Sequence, residues 1–143
     1  MRKLLVAFDG SDNARRALQY VVDLAGELKS VPQVHVINVQ QEPVLYGEYV
    51  SASMIEEINN GLMAQSRGLL DEASTTLKAA GIQAETHTVM GNAADQISAA
   101  VSRLGCDTLV MGTRGLGNFT GLVMGSVTNR VVHESAIPVV LVK

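Results

Sequence analysis

The apolar residues of this chain follow two alternating patterns, and this alternation restricts the possible folds more than any other feature of the sequence. Short runs of consecutive apolar residues, rich in Val, Leu and Ile, are separated by longer stretches in which apolar residues recur every three or four positions. The first pattern is typical of strands covered on both faces, and the second is typical of helices with one buried face. The sequence therefore predicts strands and helices in the order βαβαβαβαβ.

The five predicted strands are short, and most are unbroken apolar runs. The second contains His35 and Asn38, and the third alternates apolar and polar residues, so the third is expected at the outside of the sheet. Strands of this kind, separated by helices, indicate a parallel sheet. The predicted strands are residues 4–8, 34–39, 82–89, 108–111 and 137–142.

Helical spacing of apolar residues marks the stretches between the strands. The inward face of the second helix is predicted to consist of Ile55, Ile58, Leu62, Leu69, Ala73 and Leu77. Ser11 or Asp12 is expected to cap the first helix, Asn92 to cap the third, and Gly81 to end the second. Residues 40–53 show neither period and are predicted to form a loop.

The predicted fold is an α/β, doubly wound, five-stranded parallel sheet in the order 3-2-1-4-5 with helices on both faces. The common five-stranded arrangements place the first strand at the centre. A length of 143 residues suits one domain. Residues 1–143 are therefore predicted to form a single domain, since no repeat, linker or low-complexity tract divides them.

Composition and charge argue against several classes of protein. Hydrophobic residues make up 47% and charged residues 17% of the chain, which suits a folded domain rather than a disordered one. The net charge is −3 and there is no run of basic residues, so nucleic-acid binding is disfavoured. With 2 Phe, 3 Tyr and no Trp, a surface for stacking bases is also unexpected.

The sequence indicates a protein of the cytoplasm without a membrane segment. The apolar run that follows residues 1–3 is stopped by Asp9, which makes it too short for the core of a signal peptide. No stretch approaches the length of a membrane span. The single cysteine, Cys106, cannot form an internal disulfide and is predicted to be a buried, inert thiol.

A glycine-rich segment follows the fourth strand and ends where the last helix begins. Five of the 13 glycines fall within residues 112–125. Glycines let backbone N–H groups approach an anion, and the N-terminus of a helix attracts negative charge. Arg114, Ser126 and Thr128 can add side-chain donors. The segment is therefore predicted to bind phosphate, and the alternative is a turn that only reverses the chain.

Ligands of doubly wound sheets lie beyond the carboxyl ends of the strands, where the winding reverses. The first strand is followed there by Asp9, Gly10 and Ser11. The common nucleotide motifs are absent, because there is no G-x-x-x-x-G-K-[ST] and residues 115–121 miss the dinucleotide spacing by one position. A receiver domain is disfavoured too, since it would need two acids after the first strand and an aspartate after the third.

The spacing within the glycine-rich segment is specific: Gly112-x-x-Gly115, then nine residues, then Gly125 and Ser126. With this spacing the chain resembles the ATP-binding branch of the universal stress protein family, and the resemblance covers the whole length. It implies the same α/β fold and the binding of ATP, or of ADP or AMP. Further similar positions are Asp9, residues 35–37, residues 89–93 and residues 125–142.

The resemblance also implies roles for individual residues. Asp9 is expected near the ribose, the backbone of Val36 at the edge of the adenine, and Met111 and Gly112 near the ribose and inner phosphates. Asp9 can also cap the first helix, and Val36 can be a core residue. The phosphates are expected to be surrounded by Gly115, Gly125, Ser126 and Val127. The full predicted set is Asp9, Gly10, Ser11, Val36, Met111, Gly112, Arg114, Gly115, Gly125, Ser126, Val127 and Thr128.

No metal site formed by the protein itself is predicted. His35, His87 and His133 each stand alone in the sequence, without a second His or a Cys nearby, so a zinc site is disfavoured. A magnesium ion held mainly by the nucleotide's phosphates is left open, because such an ion needs few protein ligands.

The sequence favours binding over turnover. ATP hydrolysis needs one group to orient water and another to stabilise charge at the γ-phosphate. Arg114 can do the second, but no Glu, Gln or His lies within residues 112–128 to do the first, which leaves Asp9 or a residue from elsewhere in the chain for that role. Three hypotheses stay open: a nucleotide-binding regulatory protein with at most slow hydrolysis, a weak ATPase, or a dimeric scaffold in which nucleotide only orders loops.

The fifth strand is nearly all apolar, although the predicted order places it at an edge of the sheet. An uncovered apolar edge invites pairing with another chain, and Pro138 interrupts only its start. A homodimer through residues 137–142 is therefore expected, as the resemblance also implies, and a covering loop is the alternative. The loop at 40–53, with Tyr46 and Tyr49, is expected either to close over the site or to contact an unknown partner.

Overall fold

The computed structural model describes residues 1–41, 47, 50–115 and 124–143. Within these ranges five parallel strands form one sheet in the order β3-β2-β1-β4-β5, which confirms the predicted order. The strands are β1 Lys3–Ala7, β2 Gln33–Gln40, β3 Ala84–Met90, β4 Thr108–Gly112 and β5 Val139–Val142. The helices are α1 Asp12–Glu27, α2 Ala52–Ala79, α3 Ala93–Leu104 and α4 Ser126–Glu134.

Two groups of buried side chains lie on opposite faces of the sheet, because neighbouring residues of a strand point to opposite sides. On one face, Leu4, Val6 and Val36 pack with residues of α1 and α2. On the other face, Leu5 and Ile37 pack with residues of α3 and α4. The helices therefore cover both faces, as the unbroken apolar strands predict.

The helix ends follow the predicted caps. The Ser11 hydroxyl accepts from Ala14 N at 3.1 Å, so Ser11 rather than Asp12 is the N-cap of α1. The Asn92 carboxamide oxygen accepts from Asp95 N at 3.1 Å at the start of α3. Gly81, with φ +79°, follows the end of α2, where a left-handed residue is most easily provided by glycine.

The predicted inward face of α2 is wrong at its first turn, because Ile55 is 40% exposed. The helix has 28 residues and is therefore about 42 Å long. The longest strand, β2, has 8 residues and spans about 26 Å. Residues 52–57 are all exposed, whereas the buried positions begin at Ser66.

No helix within the described ranges is long and apolar enough to cross a membrane.

Element boundaries differ slightly from the expectation. The third strand begins at Ala84 rather than at residue 82, and the fifth begins at Val139 rather than at residue 137. The loop predicted over 40–53 is shorter, because β2 extends through Gln40 and Ser51 caps α2. Tyr46, Tyr49 and most of the stretch between the paired glycines lie outside the described residues.

Candidate functional site

A cavity of about 250 Å³ opens at the carboxyl ends of β1, β2 and β4. It lies where β1 is flanked by β2 on one side and β4 on the other. The connection after β1 and the connection that leads into β4 therefore lie on opposite sides of the cavity. This is the position at which doubly wound sheets bind ligands. The N-terminal turns of α1, α3 and α4 complete the wall, with Ala14, Ala93 and Ser126 among the lining residues.

The cavity brings together nine of the twelve residues predicted for nucleotide binding. Asp9 follows β1, and about 100 residues of sequence separate it from the other eight, which lie at the end of β4 and the start of α4. The predicted residues that line the cavity are Asp9, Met111, Gly112, Arg114, Gly115, Gly125, Ser126, Val127 and Thr128.

Gly10 and Ser11 are not among the lining residues, because they shape the turn from β1 into α1. Gly10 has φ +81°, and a Cβ atom there would lie 2.5 Å from Cδ2 of Leu69. A side chain at this position would therefore suffer both backbone strain and a clash. Ser11 is 7% exposed and its hydroxyl is used as the cap of α1.

Val36 also does not line the cavity. Its side chain is fully buried in the core on the α1 and α2 face of the sheet. Ile37 and Val39, which point to the other face, line the cavity in its place. The contact expected from Val36 is through its backbone, and that contact stays a prediction.

The close approach of β4 to α1 explains Gly112. A Cβ atom at Gly112 would lie 2.7 Å from Cβ of Asn13 and 3.0 Å from the carbonyl carbon of the same residue. Asn13 is buried, and its carboxamide N donates to Oγ1 of Thr113 at 3.2 Å. Glycine therefore allows the end of β4 to pack directly on the first turn of α1.

Asp9 faces the glycine-rich segment across the cavity. Its Oδ1 accepts from Ser11 N at 2.9 Å, which fixes the orientation of the carboxyl group. A Cβ atom at Gly115 would lie 2.6 Å from its Oδ2. The absence of a side chain at Gly115 thus leaves the second carboxylate oxygen accessible from the cavity.

The N-terminus of α4 opens into the same cavity. Gly125 is the N-cap, with φ −63° and ψ 154°, and it offers no side chain to cap the first amide groups. Gly125 N donates to the carbonyl of Thr113 at 2.8 Å, and Oγ1 of Thr128 donates to the carbonyl of Gly112 at 2.9 Å. These two bonds fix the start of α4 against the end of β4, with the positive end of the helix toward the cavity.

Sequence reasoning missed the apolar part of the wall. These residues are indistinguishable in sequence from core residues, and the signal that could have indicated them is their place at strand ends and helix starts. The additional lining residues are Ala7, Phe8, Ala14, Ile37, Val39, Ala93 and Ile97.

A second group of polar side chains lies on β2 and β3, and it corrects the expectation that each histidine stands alone. His35 and His87 are 52 residues apart in sequence, yet Nδ1 of His35 lies 3.0 Å from Nε2 of His87. Parallel pairing of β2 with β3 brings them together, because His35 is opposite Glu85 and Ile37 is opposite His87. Glu85 Oε2 lies 3.3 Å from the same Nδ1 of His35.

Electrostatics favour the neutral form of His87. Burial is the main cause that lowers the pKa of His87, and the neighbouring His35 lowers it further. Arg103 acts in the same direction, while Glu85 opposes it.

Cys106 is buried as expected, and burial raises the pKa of its thiol.

Comparison with known proteins identifies one family. The model of the universal stress protein family matches residues 1–143. Universal stress protein YxiE of Bacillus subtilis strain 168 is 31% identical over 147 aligned residues, which cover 99% of this chain and 98% of that protein.

Solved structures share the fold over nearly the whole chain. The structure of MJ0577 from Methanocaldococcus jannaschii superposes with a TM-score of 0.85 at 24% identity, covering 99% of this chain and 95% of that one. A universal stress protein in complex with cAMP superposes with a TM-score of 0.68 at 25% identity, covering 99% of this chain and 96% of that one.

Proposed function

The chain belongs to the universal stress protein family, and we propose on that basis that its cavity binds an adenine nucleotide. ATP is the proposed ligand, with ADP and AMP as its competitors. The protein acts as a regulatory component of the stress response whose state depends on the bound nucleotide. The relative that was solved with cAMP supports an adenine nucleotide as the class of ligand.

One observation supports this proposal most strongly: a helix N-terminus and a carboxylate face the same, otherwise largely apolar cavity. The start of α4 at Ser126 attracts phosphate through its backbone N–H groups and dipole. The wall formed by Ile37, Val39 and Ile97 suits an apolar base. A ligand with one anionic end and one flat, apolar end matches this arrangement.

The carboxylate of Asp9 gives the ligand its orientation. A carboxylate accepts hydrogen bonds from ribose hydroxyls but repels phosphates. The ribose therefore lies at Asp9, and the phosphates lie toward Gly125–Thr128, where Arg114 adds positive charge. A magnesium ion arrives with ATP and is held mainly by its phosphates.

The cavity suits binding better than rapid hydrolysis. Among its described lining residues Asp9 is the single acid, and there is no Glu, Gln or His to orient a water molecule at the γ-phosphate. The proposed function is therefore nucleotide binding with at most slow turnover. Measuring phosphate release from ATP under saturating conditions tests this part of the proposal.

The test of the site uses proline to remove one backbone donor. Pro is well tolerated at the first position of a helix, and the φ and ψ of Gly125 are compatible with a following Pro. Ser126→Pro removes the N–H and the hydroxyl, whereas Ser126→Ala removes the hydroxyl alone. In calorimetric titrations of the nucleotide-free protein, Ser126→Pro is expected to weaken ATP binding about tenfold more than Ser126→Ala does.

Adenosine provides the matched ligand control. Because it has no phosphate, its affinity is expected to be the same in Ser126→Pro, Ser126→Ala and the original chain. Equal ATP affinity in the two variants would contradict phosphate binding at α4. A failure of the original chain to bind ATP, AMP or adenosine, with the protein folded and magnesium present, would remove the nucleotide proposal altogether.

A homodimer through β5 is the second part of the proposal. Val139–Val142 forms an edge of the sheet. Leu109 N donates to the carbonyl of Pro138, and Thr113 N donates to the carbonyl of Val142. The backbone polar groups of the even-numbered residues of this segment therefore point toward β4. The N–H groups of Val139 and Leu141 therefore point away from β4, toward the open edge.

Sedimentation and hydrogen exchange test the dimer together. The amides of Val139 and Leu141 are expected to exchange more slowly as the protein concentration rises, in step with the dimer fraction measured by sedimentation. A monomer at every concentration, or a dimer in which these two amides exchange freely, would contradict pairing through β5.

A further inference from the structure

Three side chains that the proposed nucleotide site does not use converge on one face of the sheet: His35, Glu85 and His87. His35 is opposite Leu5 in the pairing of β1 with β2, and it is opposite Glu85 in the pairing of β2 with β3. His87 follows Glu85 by two positions and so points to the same face. The group therefore belongs to the face covered by α3, near the β3 edge.

Two distances within the group, both measured from Nδ1 of His35, are close to those between neighbouring ligands of a tetrahedral metal ion. Zinc binds His nitrogens and carboxylate oxygens at about 2.0–2.2 Å, which places neighbouring ligand atoms about 3.3 Å apart. Here Nδ1 of His35 lies 3.0 Å from Nε2 of His87 and 3.3 Å from Oε2 of Glu85. The ligand atoms of all three residues lie within 4.8 Å of one another.

One shared proton cannot provide a hydrogen bond for every lone pair of the His35, Glu85 and His87 side chains. In neutral imidazole one ring nitrogen is a donor and the other an acceptor, and a carboxylate is an acceptor only. One proton between the two histidines leaves the lone pairs of the Glu85 carboxylate pointing at the same place. A divalent cation accepts lone pairs from all three side chains, so it accounts for the convergence better than one shared proton does.

The burial of the three residues suits a site with a fixed base and an open entrance. His35 is 3% exposed and is held in the sheet, His87 is half-buried, and the side chain of Glu85 is 66% exposed. The exposed side chain of Glu85 therefore marks the side from which a metal ion can reach the group. Three protein ligands leave a fourth tetrahedral position for water.

From this geometry we propose that His35, Glu85 and His87 form a zinc-binding site. Two imidazoles and one carboxylate are ligands that zinc accepts, whereas calcium and magnesium prefer oxygen ligands alone. The site joins His35 of β2 to two residues of the edge strand β3, Glu85 and His87, that lie on the same face of the sheet. Bound zinc is therefore expected to stabilise this edge of the sheet.

The experiment titrates the nucleotide-free full chain with Zn²⁺ in a buffer without phosphate or chelator. Calorimetry is expected to give one Zn²⁺ per chain, and thermal unfolding is expected to shift upward with zinc concentration. Co²⁺ used as a probe is expected to give the visible absorption of a tetrahedral site. Crystals grown with Zn²⁺ are expected to show an anomalous peak about 2.0–2.2 Å from the three ligand atoms.

The variants are chosen so that the fold is kept. Glu85→Gln and His87→Asn change exposed or half-buried side chains, and each is expected to weaken Zn²⁺ binding by at least about tenfold, since losing even an outer-shell partner can cost that much. His133→Ala, which removes an exposed histidine on α4, is the matched control and is expected to bind normally. Circular dichroism of each metal-free variant checks that it is folded.

Two results would overturn the zinc site. The first is the absence of a saturable Zn²⁺ complex in the folded original chain. The second is Zn²⁺ binding that is the same in Glu85→Gln, His87→Asn and the control, since the ion would then bind elsewhere. The nucleotide titrations described above do not depend on either result.

Discussion

Gly112 and Gly115 show how single residues separate stability from binding in this cavity. A Cβ atom at either position would come within 3 Å of another residue. At Gly112 the obstruction includes the backbone of Asn13, which is fixed by the first turn of α1. At Gly115 it is the end of the Asp9 side chain, which can move aside if it gives up the hydrogen bond from Ser11 N. The same added atom is thus expected to disturb the fold in one place and the site in the other.

We expect Gly112→Ala to lower the free energy of unfolding by about 1–3 kcal/mol, because the crowded backbone cannot move aside without cost. Gly115→Ala is expected to lower it by at most about 1 kcal/mol, the net contribution of the hydrogen bond between Ser11 N and Asp9, and to weaken nucleotide binding by displacing Asp9. Urea denaturation and calorimetric titration measure the two quantities.

Gly68→Ala is the control for this pair, because a Cβ atom there meets nothing within 4 Å. It is expected to leave ATP affinity unchanged. Equal losses of stability at Gly112 and Gly115 would contradict the distinction between backbone and side-chain obstruction.

Among the elements, β1 depends on a carboxylate at the start of the neighbouring strand. Oδ2 of Asp107 accepts from the backbone N of Arg2 at 2.8 Å and of Lys3 at 3.0 Å. Its Oδ1 accepts from the hydroxyl of Thr108 at 2.9 Å. Burial alone would raise the pKa of Asp107, but these hydrogen bonds together lower it below the ordinary value of 3.8. The charged form of Asp107 therefore stabilises the beginning of the central strand, β1, through these hydrogen bonds.

Asp107→Ala is expected to reduce stability by about 1–2 kcal/mol near neutral pH. A pKa that is lower in the folded state gives stability that is present above the ordinary value of 3.8 and is lost as the pH falls through the folded value. The difference from the original chain is therefore expected to shrink below about pH 4. Urea denaturation at several pH values measures it.

Asp71→Ala, at an exposed position on α2, serves as the comparison for Asp107→Ala. It is expected to change stability by less than about 0.5 kcal/mol. If the two variants were equally stable, the hydrogen bonds from β1 to Asp107 would make no net contribution to the free energy of unfolding.

For the whole molecule, the fold could be predicted because its signals are periodic and local. Unbroken apolar strands separated by amphipathic helices indicate a doubly wound parallel sheet, and the strand order agrees. The exposure of Ile55 could not be read in the same way, because it depends on the length of α2 relative to the sheet beneath it. Helical periodicity indicates which residues share a face but not where the partner surface ends.

The two candidate sites differ in how much of each could be predicted from the sequence. The nine predicted residues that line the cavity lie at the end of β1, at the end of β4 and at the start of α4, and topology determines that these ends meet. The pair of His35 and His87 depends instead on the register of two parallel strands. No turn fixes that register, since a helix of 28 residues connects the strands, and so their contact was missed.

Binding of ATP is expected to stabilise the whole fold by mass action. At a free concentration 100 times the Kd, the gain is about 2.7 kcal/mol, which corresponds to a rise in Tm of roughly 5–10 °C for a chain of this size. Thermal unfolding with ATP, AMP and adenosine at equal multiples of their Kd measures the effect. A Tm that does not change with saturating ATP would contradict binding to the folded state.

The cavity joins the end of the first strand to the start of the last helix, and this has a consequence for synthesis on the ribosome. Asp9 is synthesised more than 100 residues before residues 112–115 and the first turn of α4. Until α4 has left the ribosome, a nascent chain lacks the four lining residues at 125–128, which are proposed to contact the phosphates, so the proposed nucleotide is not expected to assist its earlier folding steps. On the proposed function, nucleotide binding is therefore expected to stabilise against proteolysis only those chains in which α4 has already been synthesised.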